Sequence, residues 1–354
     1  MKYAQKTSAV SPIVATLVLI VVAVVGAVAV GTIMGTFSNS VAKQTNAGDV
    51  ASSSQTEILT AGSTTVQPAS EQIAKVYTKM NPGIKVTVQG GASGAGVAAT
   101  GAGTIDIGAS SDLTKITDAQ AAHPEWDLRY YQIGGSGVVW IAYGTPAAKN
   151  INKSAILGLY KYGTVLPAVE GPAGYTIPIH RAESSGTEEA AAKWTTYKAS
   201  ATDGGQVKSF DVNMTSKALA ATGNAGVLSL VQSTPGSIGF VDMGFAYDAN
   251  GNPVSGITIL NPQDDVTDPA NLAKFTTSKT NIQNSLKDIF GKGLKSSTSY
   301  PADPTDYNSL ARGLFYMTKG QPNPVVGNYI NFAQTPGACD AMHAAGVFCM
   351  ADLA

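Results

Sequence analysis

The hydrophobic pattern has two regimes. Ile13 to Met34 (IVATLVLIVVAVVGAVAVGTIM) is almost wholly apolar, and no charged residue falls between Lys6 and Lys43. At about 1.5 Å per residue a helix over this stretch spans a bilayer core of about 30 Å. It exceeds the roughly 7–15 apolar residues of a secretory signal. The pattern therefore predicts a transmembrane helix over 13–36, preceded by a leader over 1–12. Lys2 and Lys6 on the short flank place the leader in the cytoplasm and the rest outside. Phe37 to Glu57 is small, polar and Ser-rich without a strong period, so 37–56 reads as a linker.

From Ile58 onward the apolar residues come in short runs broken by glycine and hydroxyl residues. Strands are predicted at Ile58–Ala61, Ile84–Val88, Thr104–Ala109, Gly137–Tyr143, Tyr175–His180, Ser237–Val241 and Leu314–Met317. Helices are predicted at Ala69–Met80, Val97–Thr100, Ser154–Tyr162, Glu188–Trp194, Gly223–Gln232, Ile282–Phe290 and Pro324–Gln334. The rest of 250–300 reads as irregular. Asn81-Pro82-Gly83 stops the first helix. Strands alternating with helices are an α/β signal, and in open α/β sheets ligands bind at the carboxyl ends of strands. Glycines 90–96 lack the G-x-G-x-x-G opening and acidic partner of a dinucleotide loop.

The stretch Arg181-Ala182-Glu183-Ser184-Ser185-Gly186-Thr187 lies between a predicted strand and a predicted helix. A helix start offers unpaired N–H groups and partial positive charge. Ser185 and Thr187 add hydroxyl donors, and Arg181 adds a planar fork suited to an oxyanion. Together they make a socket for a small tetrahedral anion. The plainer alternative is a Ser/Thr helix cap with Arg181 paired to Glu183.

Composition narrows the choice of partner. With 23 Lys+Arg against 24 Asp+Glu in 354 residues, no basic excess exists to bind nucleic acid. His123, His180 and His343 are too scattered for a metal site. The only two cysteines, Cys339 and Cys349, outside the cell form a plausible disulfide, with free thiols as the alternative.

Several motifs occur in an order that carries a family: GSTTVQP (62–68), QGGASGAGV (89–97), IDIGASSDL (105–113), RAESSGTEEA (181–190), GNAGVLSLVQ (223–232), TPGSIGFVD (234–242) and LFYMTKGQP (314–322). The region 58–354 resembles the phosphate-binding protein of ABC-type phosphate importers. The resemblance implies a periplasmic-binding-protein-like (type II) α/β fold. Its two lobes, 57–143 with 246–354 and 144–245, are joined by crossover strands and close on one phosphate ion. It assigns the anion to Thr64, Thr65, Ser93, Ser111, Asp112, Arg181, Ser185, Gly186 and Thr187. It implies no cofactor and an ABC permease as partner. The family's RxDGSGT reads RAESSGT here, so Glu183 stands for an Asp and Ser184 for a Gly. The family often places an Asp directly after Ala-Ser in the third loop, to accept a proton from phosphate. Here that position is Ser111, with Asp112 one later, and Asp112 or Glu183 could supply the acceptor. A site without the acceptor loses its means of preferring phosphate to sulfate, which has no proton to offer.

Residues 6–15 (KTSAVSPIVA) resemble archaeal type IV pilin-like precursors, which implies cleavage near Ser8 with the apolar helix retained as an anchor or assembly element. The alternatives are thus a surface-anchored phosphate receptor or a pilin-like filament subunit displaying such a domain. An enzyme is disfavoured, because no Ser-His-Asp set, metal cluster or carboxylate pair accompanies the anion loops.

Overall fold

A computed structural model describes residues 56–166, 173–183, 185–195, 210, 214–248, 251–263, 277–291 and 310–354. The leader, the apolar span and all of the linker but residue 56 lie outside the described residues, as does Ser184. Among the described residues no helix is long and apolar enough to cross a membrane.

The first part alternates strand and helix: β1 (Thr56–Ser63), α1 (Gln67–Met80), β2 (Ile84–Gly91), α2 (Ser93–Ala102), β3 (Ile107–Ser110) and α3 (Leu113–Ala122). α1 starts with Pro68 in its first turn, where a missing N–H is harmless. It buries Ala69, Ile73, Ala74 and Tyr77, a helical spacing. Next come β4 (Leu128–Tyr143), β5 (Asn150–Asn152), α4 (Lys153–Tyr162), β6 (Ile177–Arg181), α5 (Gly186–Trp194), β7 (Leu219–Ala221), α6 (Gly223–Ser233), β8 (Ser237–Asp242) and a short α7 (Met243–Ala246). The last part holds β9 (Ile257–Ile259), β10 (Asn261–Gln263), α8 (Lys279–Gly291), β11 (Ala311–Lys319), α9 (Pro324–Gln334), α10 (Cys339–Ala344), β12 (Phe348–Cys349) and α11 (Met350–Leu353).

The main sheet runs β2–β1–β3–β11–β4–β8–β6–β7, with β9 and β12 also pairing β4. β1 is parallel to β2 and β3. β11 is antiparallel to both β3 and β4. β4 is antiparallel to β8, and β6 is parallel to β8 and β7. β3 and β4 therefore run one way, while β8 and β6 run the other. The carboxyl ends of β1 and β3 face those of β6 and β8, and the loops after all four converge.

The fold is α/β and two-lobed, with a curled sheet whose apolar residues fall into two main cores. One holds Ile58, Ile73, Ile107, Ile133, Leu314, Tyr316 and Tyr329. The other holds Val138 to Ala142, Ile156, Ile179, Phe240 and Ala311. β4 contributes Ile133 to the first and Val138 onward to the second; β11 contributes Leu314 to the first and Ala311 to the second. These two strands pass between the cores. Ile257, Ile259, Leu260, Ile282 and Leu286 pack in the second core.

Three other segments differ from the sequence expectation. α2 begins at Ser93, so most of the glycine run is helix. Gly96 explains it: a Cβ there would stand 2.9 Å from both the Ala109 carbonyl and the Gly62 Cα. Without a side chain, the helix start lies directly on β1 and β3. β4 begins at Leu128, nine residues before the expected start (137 − 128). The added stretch includes Gly134, where a Cβ would stand 2.1 Å from the Phe348 carbonyl. The position is left bare so that β12 can pair there. Finally, the region 250–300 contains β9 and β10.

Cys339 and Cys349 form a disulfide that ties α10 to β12. In the second core Trp140 is fully buried. Its ring lies 5.4–6.3 Å from those of Phe240, Trp194, Tyr160 and Phe210, distances at which aromatic pairs attract beyond their buried area. Trp140→Ala is expected to cost about 3–5 kcal/mol. Urea unfolding checks this, and a loss below about 1 kcal/mol would show that the cluster does not centre this core.

Candidate anion-binding site

The site forms where the four strand ends meet. Ser63 ends β1, and Thr64 and Thr65 lead into α1. The Ser63 hydroxyl accepts from the Thr65 N–H at 3.2 Å and shares a 3.0 Å hydrogen bond with the Ser111 hydroxyl. Ser111 follows β3, and its N–H donates to Ser93 Oγ at 3.3 Å. Ser93 is the first residue of α2 and is buried. The loops of the first core thus present three linked hydroxyls beside the starts of two helices. Neither α1 nor α2 carries an acidic residue in its first turn, so the positive ends of their dipoles lack a side-chain anion.

The second core contributes the loop after β6. Arg181 ends that strand, and its side chain is completely buried. Nε and Nη2 donate to Glu183 Oε1, the first at 2.9 Å. Nη2 also donates to Thr64 Oγ1 at 3.2 Å, and Nη1 reaches Asn224 Oδ1 at 3.4 Å. The Arg181 N–H donates to Glu188 Oε2 at 2.6 Å, and Glu188 is itself buried. Ser185 caps α5, its hydroxyl accepting from the N–H groups of Thr187 (3.1 Å) and Glu188 (3.4 Å). Both plain readings of this stretch, cap and ion pair, are therefore realised, and both serve to position the loop.

The two sides touch directly. Thr187 Oγ1 lies 3.0 Å from Thr65 Oγ1. A Cβ built on Gly186 would stand 2.9 Å from Ser111 Oγ, 3.4 Å from Ser93 Oγ and 3.7 Å from Arg312 Nη1. Only glycine lets those three polar groups face one small space.

Of the expected residues, Thr64, Thr65, Ser93, Ser111, Arg181, Ser185, Gly186 and Thr187 come together here. Asp112 is engaged elsewhere. Its Oδ1 caps α3 by accepting from the Thr114 N–H at 2.9 Å, and its Oδ2 lies 3.7 Å from Lys193 Nζ. Lys193 also pairs with Glu189 at 3.2 Å, and Glu189 pairs with Lys115 of α3 at 2.9 Å. Burial opposes the charge on Lys115. The hydrogen bond and charge of Glu189, with Asp112 and Asp118 nearby, outweigh it and hold the ammonium above its ordinary pKa. Glu183 Oε1 also accepts from the Gly223 N–H at 3.1 Å; its Oε2 is buried without a partner among the described residues.

Three buried polar residues of the site are absent from the sequence expectation: Arg312, Asp242 and Asn224. Arg312 lies on β11, and its Nη2 donates to Thr65 Oγ1 (2.9 Å), Thr187 Oγ1 (2.9 Å) and Asp242 Oδ2 (3.0 Å). Asp242 ends β8, with Oδ1 accepting from Ser136 Oγ at 2.7 Å and from the Gly244 N–H at 3.2 Å. Asn224 Oδ1 accepts from the Asp242 N–H at 3.1 Å as well as from Arg181. A signal for Arg312 was present, since it is a lone cation just ahead of the apolar run Leu314–Met317. A cation inside a buried strand must be paired or must serve a ligand.

The fold is thus two-lobed and α/β, with a polar cleft where opposed strand ends meet. Residues 47–336 match the family described as the PBP superfamily domain, and the chain belongs to that family. It is 25% identical over 216 residues to the phosphate-binding protein PstS of Methanocaldococcus jannaschii, a match covering 54% of each protein. The chain thus spans about half the length of that curated relative. Among solved structures, an ABC-type phosphate transport receptor from Vibrio cholerae is similar at TM-score 0.55 and 20% identity, over 83% of this chain and all of that one. A high affinity periplasmic phosphate-binding protein, PfluDING, bound with phosphate, is similar at TM-score 0.61 and 16% identity, over 84% and 92%. At these identities the likeness is one of fold.

Ser185→Ala is expected to lower stability by about 1 kcal/mol through loss of the cap, and Ser185→Asp to restore most of it. Thermal unfolding of the three proteins measures both, and an alanine variant as stable as the parent would remove the capping role.

Proposed function

We propose that the chain is an extracytoplasmic receptor that captures inorganic phosphate between its two lobes and delivers it to an ABC permease. One observation carries this reading: hydroxyls of the two sides meet at Thr65 and Thr187, beside a small space before Gly186 that Ser93, Ser111 and the buried Arg312 guanidinium face. Such a site holds an anion by oriented dipoles and one or two fixed charges in a water-poor cleft. The named function of the M. jannaschii relative supports phosphate as the anion. The proposed lobes follow the two cores, with β4 and β11 as the hinge strands. The apolar stretch 13–36 supports attachment beside the permease, with the binding domain outside.

In this reading Thr64, Thr65, Ser93, Ser111 and Thr187 donate hydroxyl hydrogen bonds, Gly186 leaves room for the ion, and Arg181 supplies charge. Ser111 stands where the family often has a carboxylate. A hydroxyl can donate to a bare oxyanion oxygen or accept from a protonated one, whereas an ionised carboxylate only accepts. Discrimination against sulfate is accordingly weak at this position.

Titration calorimetry of the full-length chain in mild detergent tests the reading. Phosphate is expected to bind, and Arg181→Ala to weaken it by about 100-fold, in line with removal of a buried charge contact. Ser111→Asp is expected to raise the phosphate-over-sulfate preference by at least about tenfold. No phosphate binding by the unaltered chain would sink the proposal; equal sulfate binding before and after Ser111→Asp would sink the role given to that position.

A further inference from the structure

The reading of the cleft as a phosphate site leaves Arg312 unexplained. Its guanidinium is buried, and only Nη2 is engaged, by Thr65, Thr187 and Asp242. Nε and Nη1 are buried without a hydrogen-bond partner among the described residues. A residue kept only for a structural ion pair would be expected to use its fork on the carboxylate, giving a bidentate pair. Asp242 instead gives Arg312 a single oxygen, Oδ2, and commits Oδ1 to Ser136 and Gly244. Burial draws the Arg312 guanidinium below its ordinary pKa, with the charge and hydrogen bond of Asp242 acting against that pull. One carboxylate does not offset the loss of water around this cation.

The direction of the unused donors is informative. Nη1 is the third of the groups facing the missing side chain of Gly186, beside Ser111 Oγ and Ser93 Oγ. We propose that Arg312 is a second ligand-contacting cation of the cleft, its Nη1 bonding the captured oxyanion before Gly186 while Asp242 and the two threonines hold Nη2. The assignment rests on the phosphate reading above. It also accounts for the placement of Asp242, which orients Arg312 from behind and balances it in the unliganded state. Arg181 with Glu183 and Arg312 with Asp242 each sum to no net charge. Arg312 pairs with Ser136 in the β11–β4 ladder, the segment where the chain passes between the cores. An anion held there is tied to the hinge as well as to both lobes.

The test is calorimetric titration of inorganic phosphate into the full-length chain and its Arg312→Gln and Arg312→Lys variants, with thermal unfolding of each. Arg312→Gln is expected to weaken binding by about 30-fold or more, and Arg312→Lys to recover part of the loss. The heat-induced transition without phosphate separates a folding defect from a binding defect. If the unaltered chain binds phosphate and Arg312→Gln binds it within about threefold, the Arg312 role is overturned and the phosphate reading stands. If the unaltered chain does not bind phosphate, both are overturned. Should the variants fail to fold, a structure of the unaltered chain with phosphate decides. Arg312 Nη1 within about 3 Å of an anion oxygen upholds the assignment; a longer separation overturns it.

Discussion

Two guanidinium groups, Arg181 and Arg312, are held out of water where opposed strand ends meet. Removing an ion from water costs several kcal/mol unless hydrogen bonds and counter-charge replace what the solvent gave. Much of the local structure follows from that requirement. Glu183 and Asp242 supply charge, Thr64, Thr65 and Thr187 accept hydrogen bonds, and Asn224 Oδ1 joins Arg181 to the backbone of Asp242. Glu188, buried in α5, fixes the Arg181 backbone. The network is nearly but not wholly satisfied. Its leftover groups are chiefly donors, on Arg312 and Asn224. A cluster short of acceptors favours an anion for the same reason that it is costly alone.

Sheet topology allows this arrangement. A parallel sheet gathers its loops at one end, and here two such groups are set end to end by the antiparallel passage of β11 and β4. The site is therefore built from segments far apart in sequence, such as Thr65 with Arg312, and Ser136 with Asp242. No single loop suffices. Each one alone is a tight turn with a capping hydroxyl, and the chemistry arises only from their convergence.

That distribution explains what the sequence reveals. The α/β order, most element positions and the loops at 62–68, 89–97, 105–113 and 181–187 are legible, because helix starts and apolar runs are local signals. The glycines of β4 are not. The bareness of Gly134 answers to Phe348, far away in sequence. Asp112 looks like an anion ligand by adjacency to Ser111, yet the helix it begins claims its carboxylate. Arg312 is flagged locally only as a cation beside an apolar run, and its pairing with Asp242 across β4 is not legible in any local pattern.

The contacts that bridge the lobes outside the site carry a last consequence. Lys115 with Glu189, and Lys193 with Asp112, link α3 and its cap to α5 of the second core. The Lys115 side chain is 39% exposed and that of Glu189 only 13%, and a pair still open to solvent on one side is screened to about 1 kcal/mol. They can guide two surfaces into register without holding them shut. The Thr65–Thr187 contact is short but neutral, and a net hydrogen bond of that kind is worth about 1 kcal/mol. In the proposed function, closure therefore depends chiefly on what lies between the lobes. An anion that engages donors from both cores adds several charge-assisted hydrogen bonds at once. In the proposed function this disparity in strength lets occupancy govern closure, and it draws on the Arg312 donors that have no partner among the described residues.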